Sequence, residues 1–263
     1  MTTPLEHLFS LKGQTALVTG GSSGLGVAMA RALAKAGANV ALLARRKDKL
    51  ESTARELAEL GVRTAAVAAD VTDDRALEEA VAQAEQELGP ISILVNAAGV
   101  SPLGRAERHS RDKWDQALAV NVTAVFLASQ VVARRMIERG GPGRIIQISS
   151  VMARGANPVH KVVGYSASKG AVDNLTRQLA VEWAQYGITV NAIAPGYFPT
   201  EMTIDPQLGE VRADQRERIE QLTPLGRLGT LEEIETAVLF LAAPASSYVT
   251  GVILPVDGGW TAW

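Results

Sequence analysis

Apolar, strand-like runs alternate with longer helical patterns from one end of the 263-residue chain to the other. TALVTG is followed by GVAMARALAKAGA, VALLAR by KDKLESTARELAELG, and GRIIQISS by YSASKGAVDNLTRQLAVEWAQYG. Strands that alternate with helices at this spacing form βαβ units, and right-handed crossovers assemble such units into a parallel sheet covered on both faces. The sequence therefore predicts an α/β fold, a doubly wound parallel sheet in a single domain over 1–263.

Local signals predict where some of these elements begin and where one of them lies. Thr72 precedes an acidic turn, and Thr230 with Glu233 forms a capping-box pattern, so each marks the start of a helix. Pro255 lies inside the last strand-like run and has no N–H to donate. That strand is predicted at an edge of the sheet.

Composition excludes several classes of function. The formal net charge is −2, which does not favour nucleic acid as a partner, and the chain has no cysteine for disulfides, thiolate catalysis or cysteine-bound zinc. The N-terminus lacks the apolar core of a signal peptide, and no apolar run is long enough to span a bilayer. We expect a cytoplasmic protein that does not bind membranes. His7, His109 and His160 have no partners at metal-ligand spacing, so no catalytic metal is predicted.

A glycine-rich turn, TGGSSGLG, joins the first strand to the first helix. In such a βα turn Gly20 would allow the tight reversal, Gly24 the approach of a pyrophosphate to the backbone, and Gly26 close packing of the helix on the sheet. The alternative is a glycine-rich loop that binds nothing, whereas a P-loop is disfavoured because no lysine follows Gly26. The candidate dinucleotide contacts are Gly20, Ser22, Ser23, Gly24, Leu25 and Gly26.

The end of the second strand bears on the choice of nucleotide. A carboxylate that reads the ribose of NAD is expected here, but Ala44 stands in that place and Arg45 and Arg46 follow. Guanidinium groups would hold the 2′-phosphate of NADP(H), so NADP(H) is favoured over NAD(H). The alternative is that both arginines are solvated residues at the start of the next helix.

A candidate catalytic group follows in YSASK and the preceding strand. Tyr165 and Lys169 are four residues apart, so both emerge on one helix face, and the ammonium is expected to stabilise the phenolate. Tyr165 would then be the acid in ketone reduction and the base in alcohol oxidation. Ser150 or Ser149, at the end of a strand, could hold the substrate oxygen, although capping is an alternative for either serine.

Two asparagines interrupt apolar segments. VNAAG, with Asn96, Ala97 and Gly99, ends a strand with small residues that would let a ligand pack on the backbone; an Asx turn is the alternative. Asn121 lies inside ALAVNVTAVFLA, where its amide needs partners. A functional role for Asn121 and a structural cap in a kinked helix are equally good interpretations.

In their order along nearly the whole chain, these motifs resemble the short-chain dehydrogenase/reductase family, a Rossmann-fold family. The motifs are TGGSSGLG, Asp70-Val71, NAAG, Asn121, Ser150, YSASK and Asn191-Ala-Ile-Ala-Pro-Gly196. The resemblance implies a catalytic tetrad of Asn121, Ser150, Tyr165 and Lys169, with Lys169 also on the nicotinamide ribose and Asn121 fixing a water in a proton relay. It implies that Asp70 and Val71 border the adenine, that Asn96, Ala97 and Gly99 line the cofactor cleft, that Pro195 and Gly196 contact the nicotinamide end, and that the protein is a homotetramer.

The segment from Tyr197 to Gly229 is expected to be a mobile lid that selects the substrate. Tyr197, Phe198 and Met202 are its candidate pocket residues, with the lid's own small core as the alternative. His160, at the mouth of the site, could meet a polar or anionic substrate, although a solvated loop histidine is the simpler interpretation.

APGYFPTEM and DGGW resemble the gluconate 5-dehydrogenase-like branch of the family, which implies a small carbonyl or alcohol substrate such as the keto sugar acid 5-ketogluconate. A 3-oxoacyl-[acyl-carrier-protein] reductase and a non-catalytic nucleotide-binding protein are the alternatives. A purely structural oligomer would have no use for the glycine loop.

Overall fold

The computed structural model describes residues 8–263, so His7 and the rest of the N-terminal segment in which no signal peptide is predicted lie outside the described part. Seven parallel strands form one sheet in the order β3-β2-β1-β4-β5-β6-β7. The strands are β1 Thr15–Thr19, β2 Asn39–Ala44, β3 Thr64–Ala68, β4 Ile93–Asn96, β5 Gly143–Ile148, β6 Ile188–Pro195 and β7 Ile253–Val256. This is the predicted Rossmann-type, doubly wound, single-domain architecture.

Helices cover both faces of this sheet, as apolar strands buried on both sides require. They are α1 Gly24–Lys35, α2 Lys47–Ala58, α3 Asp74–Leu88, α4 Arg111–Leu118, α5 Ala124–Arg139, α6 Val163–Trp183, α7 Ala213–Leu222 and α8 Glu235–Ala242. Buried side chains of α1, α2 and α8 form the core on one face, and those of α3, α5 and α6 form the core on the other. The sheet order reverses between β1 and β4, and in such sheets ligands bind at the carboxyl ends of the strands beside that point.

The structure tests the three local predictions. Within the described residues 8–263, β7, which contains Pro255, pairs only with β6 and is an edge strand, as predicted. The capping box of Thr230 and Glu233 is present and opens the 3₁₀ turn Leu231–Ile234 before α8. The prediction for Thr72 is wrong by one residue: Asp73 caps α3 by accepting from the N–H of Ala76.

The long helical pattern from Arg111 onward is interrupted by a π-helical turn, Ala119–Thr123, between α4 and α5. By length and apolar composition, the whole stretch Arg111–Arg139 could cross a bilayer, contrary to the expectation from sequence. Half of its most apolar part is buried inside the fold, where α5 packs against the sheet. Packing in the protein core therefore accounts for its apolar face.

Candidate functional site

The glycine-rich turn between β1 and α1 has the geometry that its three glycines predict. Gly20 has φ +69°, and a Cβ there would lie 2.7 Å from the backbone N of Ala98, so only glycine fits. Gly24, with φ +56°, faces Thr200, and a Cβ on Gly26 would lie 2.3 Å from the carbonyl oxygen of Gly20. The turn thus exposes its backbone while α1 packs closely on it.

The first turn of α1 is also suited to an anion. Ser23 is the N-cap residue but makes no side-chain cap; its hydroxyl accepts from Arg46 Nη2 at 2.9 Å instead. Helix N-terminal N–H groups without a side-chain cap bind phosphate readily. The exposed glycine backbone and this helix end together fit the pyrophosphate of a dinucleotide.

A cavity of about 1080 Å³ runs from this turn along the carboxyl ends of the central strands. It is large enough for a dinucleotide together with a small substrate. The predicted site residues that line it are Gly20, Ser22, Ser23, Gly24, Leu25, Gly26, Arg45, Arg46, Asp70, Val71, Ala97, Gly99, Ser150, His160, Tyr165, Lys169, Pro195, Gly196, Tyr197, Phe198 and Met202.

Asn96 is not among them, which corrects the expectation that it lines the cleft. It is the last residue of β4, and its side chain points to the sheet face that α5 covers. The amide donates to Gln147 Oε1 at 2.8 Å and to Ser129 Oγ at 3.0 Å, and the residue is buried. Asn96 therefore ties β4 to β5 and α5, while the next residue, Ala97, reaches the cavity.

Asn121 lies behind the cavity wall, in the π-helical turn. Its side chain accepts from the N–H of Val100 and donates to the carbonyl of Val100 and to Ser168 Oγ, each at 2.9 Å. A Cβ on Gly99 would lie 3.4 Å from its Oδ1 and 3.8 Å from Lys169 Nζ. These hydrogen bonds give Asn121 a structural role in holding the loop after β4 beside Lys169, and they use both N–H donors of its amide.

Ser150, Tyr165 and Lys169 come together at the carboxyl end of β5. Lys169 Nζ lies 5.5 Å from the Tyr165 ring centroid and donates to the carbonyl of Ile148 at 2.7 Å. The Ser150 hydroxyl accepts from the N–H of Met152 and is close enough to the phenol to affect its pKa. Ser149 also borders the cavity, but its hydroxyl donates to the buried carboxylate of Asp173. The two serines thus have different surroundings, and only Ser150 is directed to Tyr165.

The protonation states of this group are set mainly by burial. Burial raises the pKa of the Tyr165 phenol from its ordinary value, with the Ser150 hydrogen bond opposing the rise, and lowers the pKa of Lys169 to about 8, with Asp173 opposing the fall. This differs from the expectation that the ammonium lowers the phenol pKa: burial is the largest cause of the shift, and the cause that opposes it is the hydrogen bond with Ser150. At neutral pH the phenol holds its proton and the amine is largely charged.

The two arginines after β2 meet carboxylates. Arg45 Nη1 lies 3.9 Å from Asp70 Oδ2, and both side chains are exposed. Asp70 also accepts from the N–H and the hydroxyl of Thr72, and these hydrogen bonds lower its pKa. Arg46 contacts Glu201, a residue of the segment after β6.

At the other end of the cavity, an aromatic group surrounds the space beyond Tyr165. The Tyr197 ring centroid lies 5.1 Å from that of Trp260 and 6.0 Å from that of His160. Tyr197 donates to Asn157 Oδ1 at 3.3 Å, and burial raises its pKa to about 12. Burial also lowers the pKa of His160, which favours the neutral imidazole.

The other two candidate pocket residues differ in exposure. Met202 is 51% exposed at the cavity rim. Phe198 is 4% exposed and packs into the main core against Gly229, so most of its surface is structural.

Sequence reasoning missed several residues that the structure brings to the site: Lys49, Asn157, Asp173, Thr200, Glu201 and Trp260. Lys49 follows Arg46 by three residues on a helix, so a search for one-turn spacing could have found it. Contacts such as that of Glu201 join residues more than 150 positions apart, and no local pattern predicts them. Within residues 8–263 no three His, Asp or Glu side chains form a group that could hold a metal ion.

A glycine-rich βα turn at the point where the sheet order reverses shares one cavity with a serine, tyrosine and lysine. These features define a Rossmann-fold oxidoreductase that uses a dinucleotide. The comparison with family models agrees: the model described as enoyl-(acyl carrier protein) reductase matches residues 20–261. The chain belongs to the short-chain dehydrogenase/reductase family and is an oxidoreductase acting on CH–OH groups.

Relatives of the chain act on sugar acids and sugar alcohols. The chain is 43% identical over 254 residues to gluconate 5-dehydrogenase of Gluconobacter oxydans (97% of each chain). It is 46% identical over 261 residues to galactitol 2-dehydrogenase (L-tagatose-forming) of Cereibacter sphaeroides, covering 97% of this chain and 98% of that one. A crystal structure of a gluconate 5-dehydrogenase from Burkholderia cenocepacia J2315 in complex with NADP and tartrate is 38% identical, with a TM-score of 0.91 and coverage of 98% and 99%.

Proposed function

We propose that the protein is an NADP(H)-dependent oxidoreductase that interconverts a ketone and a secondary alcohol of a sugar acid, such as 5-ketogluconate and gluconate. The observation that carries this proposal is the convergence of Ser150, Tyr165 and Lys169 in the cavity that also contains the glycine-rich turn. The similarity to gluconate 5-dehydrogenase supports the substrate class.

The cofactor would be held by the glycine turn and the first turn of α1 at its pyrophosphate, by Asp70 and Val71 at the adenine, and by Lys169, Pro195 and Gly196 towards the nicotinamide. When bound, it supplies or accepts the hydride. The backbone of Gly20 and Gly24 is accessible to the pyrophosphate because neither residue carries a Cβ.

Tyr165 supplies the proton in reduction. Its raised pKa keeps the phenol protonated at neutral pH, as a donor to a carbonyl oxygen must be. Ser150 orients that oxygen by hydrogen bonding, and the charged Lys169 stabilises the phenolate left after proton transfer. Asn121 completes the tetrad. It holds the loop after β4 by its hydrogen bonds to Val100, and it would fix a water in a proton relay.

Preference for NADP(H) rests on charge at the end of β2. Ala44 places no carboxylate there, while Arg45 and Arg46 border the cavity. A guanidinium matches a phosphate monoester in geometry and charge, so a 2′-phosphate is favoured over a bare ribose.

The substrate end of the cavity is polar and fits a hydroxylated chain. Asn157, His160 and Tyr197 offer donors and acceptors, and Arg212 and Gln215 line the same space. A guanidinium could meet the carboxylate of a sugar acid. A sugar alcohol without a carboxylate is the second candidate, favoured by the 46% identity to galactitol 2-dehydrogenase. A 3-oxoacyl-[acyl-carrier-protein] reductase is the third; the matching family model, described as an enoyl-(acyl carrier protein) reductase, shares with it only the acyl-carrier-protein substrate.

The segment 197–229 is proposed to act as a lid over the substrate. It contains α7 and its own small apolar cluster of Val211, Ile219 and Leu228. Such a unit can move as a body and exclude water when it closes.

The proposed assembly is a cytoplasmic homotetramer without nucleic-acid or membrane partners. Val181 on α6 is 77% exposed, and Tyr248 and Trp263 are also exposed. Apolar side chains in contact with water favour association between copies. Light scattering after gel filtration would measure the mass.

A substrate panel tests the function directly. The purified protein is assayed with NADPH and NADH against 5-ketogluconate, L-tagatose and a short 3-oxoacyl thioester. We expect turnover of 5-ketogluconate with NADPH to exceed the others. Preference for tagatose would support the sugar alcohol, preference for the thioester would support the acyl reductase, and tight NADPH binding without turnover would support a nucleotide-binding protein.

A further inference from the structure

Glu201 makes a cluster of ionic contacts with residues on the cofactor side of the cavity. Its Oε1 accepts from Arg46 Nη1 at 3.1 Å and from Lys49 Nζ at 2.7 Å, and its Oε2 accepts from Arg46 Nη2 at 2.9 Å. Arg46 Nη2 also donates to Ser22 Oγ and Ser23 Oγ, at 3.2 and 2.9 Å. One carboxylate is therefore bound to two cations that adjoin the hydroxyls of the glycine-rich turn.

This set of groups is also what a phosphate monoester requires. A guanidinium fork, an ammonium and two hydroxyls together can bind a dianion through several charge-assisted hydrogen bonds. Arg46 and Lys49 lie at the start of α2, directly after the end of β2, where the proposed NADP(H) would place its adenosine ribose. The carboxylate of Glu201 and a 2′-phosphate would need the same donors.

Two properties of the contact make exchange feasible. The hydrogen bonds from Arg46 and Lys49 hold the pKa of Glu201 at about 2, so it is a carboxylate at every pH near neutrality. Its side chain is nevertheless 52% exposed, and those of Arg46 and Lys49 are 42% and 45% exposed. Ion pairs with this exposure are weak, so a dianion can displace a monoanion from them.

The other arginine after β2 adds positive charge beside this site but pairs with a different carboxylate. Arg45, the other arginine after β2, faces Asp70, at 3.9 Å. Thr200, adjacent to Glu201, lies against Gly24 of the glycine turn. A Cβ placed on Gly24 would be 3.2 Å from the Cβ of Thr200. Displacement of Glu201 would therefore also shift the start of segment 197–229 relative to the turn.

We infer that Glu201 is a specificity-determining residue that competes with the 2′-phosphate of NADP(H) for Arg46, Lys49, Ser22 and Ser23. The inference rests on the proposed cofactor. NADH has no 2′-phosphate and leaves the Glu201 contacts in place, whereas NADPH must break them. Glu201 thus lowers the affinity of the protein for NADPH and reduces the ratio by which NADPH binds more tightly than NADH.

The test is Glu201→Gln, which keeps the shape and removes the charge. Dissociation constants are measured by calorimetry for NADPH, NADH, 2′,5′-ADP and 5′-AMP. We expect NADPH and 2′,5′-ADP to bind about two- to thirtyfold more tightly, the range for two half-exposed ion pairs, and NADH and 5′-AMP to change less than about twofold. Glu210→Gln is the control, because Glu210 is an exposed residue of the same segment and forms no ion pair within residues 8–263; it should change none of the four constants.

Three results would overturn the inference. Unchanged or weaker binding of the 2′-phosphorylated ligands to Glu201→Gln would show that the carboxylate does not compete, even if the wild type prefers NADPH. An equal gain for NADH and 5′-AMP would show a general electrostatic effect. Failure of the wild type to bind any of the four ligands would overturn the proposed function, and this inference with it.

Discussion

Gly20→Ala should destabilise the glycine-rich turn for two reasons, the strain of a left-handed backbone and the steric clash of an added Cβ. Gly20 has φ +69°, so any L-residue there loses about 1–2 kcal/mol of stability from the left-handed backbone. A Cβ would also lie 2.7–2.9 Å from backbone atoms of Ala97 and Ala98, and the main chain would have to shift. Overpacking of this kind costs about 1–3 kcal/mol. The expected total is a loss of about 2–5 kcal/mol in the free energy of unfolding.

Gly61→Ala is the matched control. Gly61 has a similar φ of +82°, but nothing lies within 4 Å of its Cβ position. Only the backbone cost of about 1–2 kcal/mol should remain. Urea unfolding gives both free energies, and NADPH titration should show weaker binding only for Gly20→Ala, since only that change displaces the turn against the cofactor. Equal destabilisation of the two variants, or unchanged NADPH binding to folded Gly20→Ala, would refute the close approach of the turn to Ala97 and Ala98 after β4.

Three further predictions concern the site. Burial lowers the pKa of Lys169 to about 8, so the ammonium that we propose as a ribose contact is present below that pH and lost above it; the Kd for NADPH should rise as pH increases through about 8, and a pH-independent Kd there would contradict this. Asn96→Ala should destabilise the fold by about 1–3 kcal/mol in urea unfolding, because the buried Oε1 of Gln147 loses the donor that Asn96 provides, while NADPH affinity stays the same; a selective loss of affinity would restore Asn96 to the cleft. Arg45→Asp should lower the kcat/KM ratio of NADPH to NADH, whereas Arg55→Asp, an equal charge change farther along α2, should not; equal ratios in both variants would remove Arg45 from cofactor choice.

The sequence predicts the fold and the glycine-rich turn because both depend on local patterns. Strand and helix periodicity fixes the alternation of elements, and the positive φ of Gly20 and Gly24 and the contact of Gly26 with Gly20 all belong to one βα unit. The edge position of the strand that contains Pro255 can be predicted because this one residue has no N–H to donate. These features need no knowledge of distant parts of the chain.

The errors arise where the orientation of a side chain depends on distant residues. Asn96 ends a strand beside the cavity, but the direction of its side chain is decided by Ser129 and Gln147. The pKa of Tyr165 depends on how deeply the phenol is buried, which the four-residue spacing to Lys169 does not reveal. The contact of Arg46 with Glu201 joins two segments that only the complete fold brings together.

The most direct test of the proposed mechanism is single-turnover reduction of 5-ketogluconate by Tyr165→Phe, with Tyr186→Phe as the control because Tyr186 is 43% exposed beyond the end of α6. Removing the phenol proton donor should slow the chemical step by about 10²–10⁴-fold while the Kd for NADPH stays within about twofold of the wild type. Tyr186→Phe should behave as the wild type does. A Tyr165→Phe rate close to that of the wild type would contradict the assignment of Tyr165 as the acid.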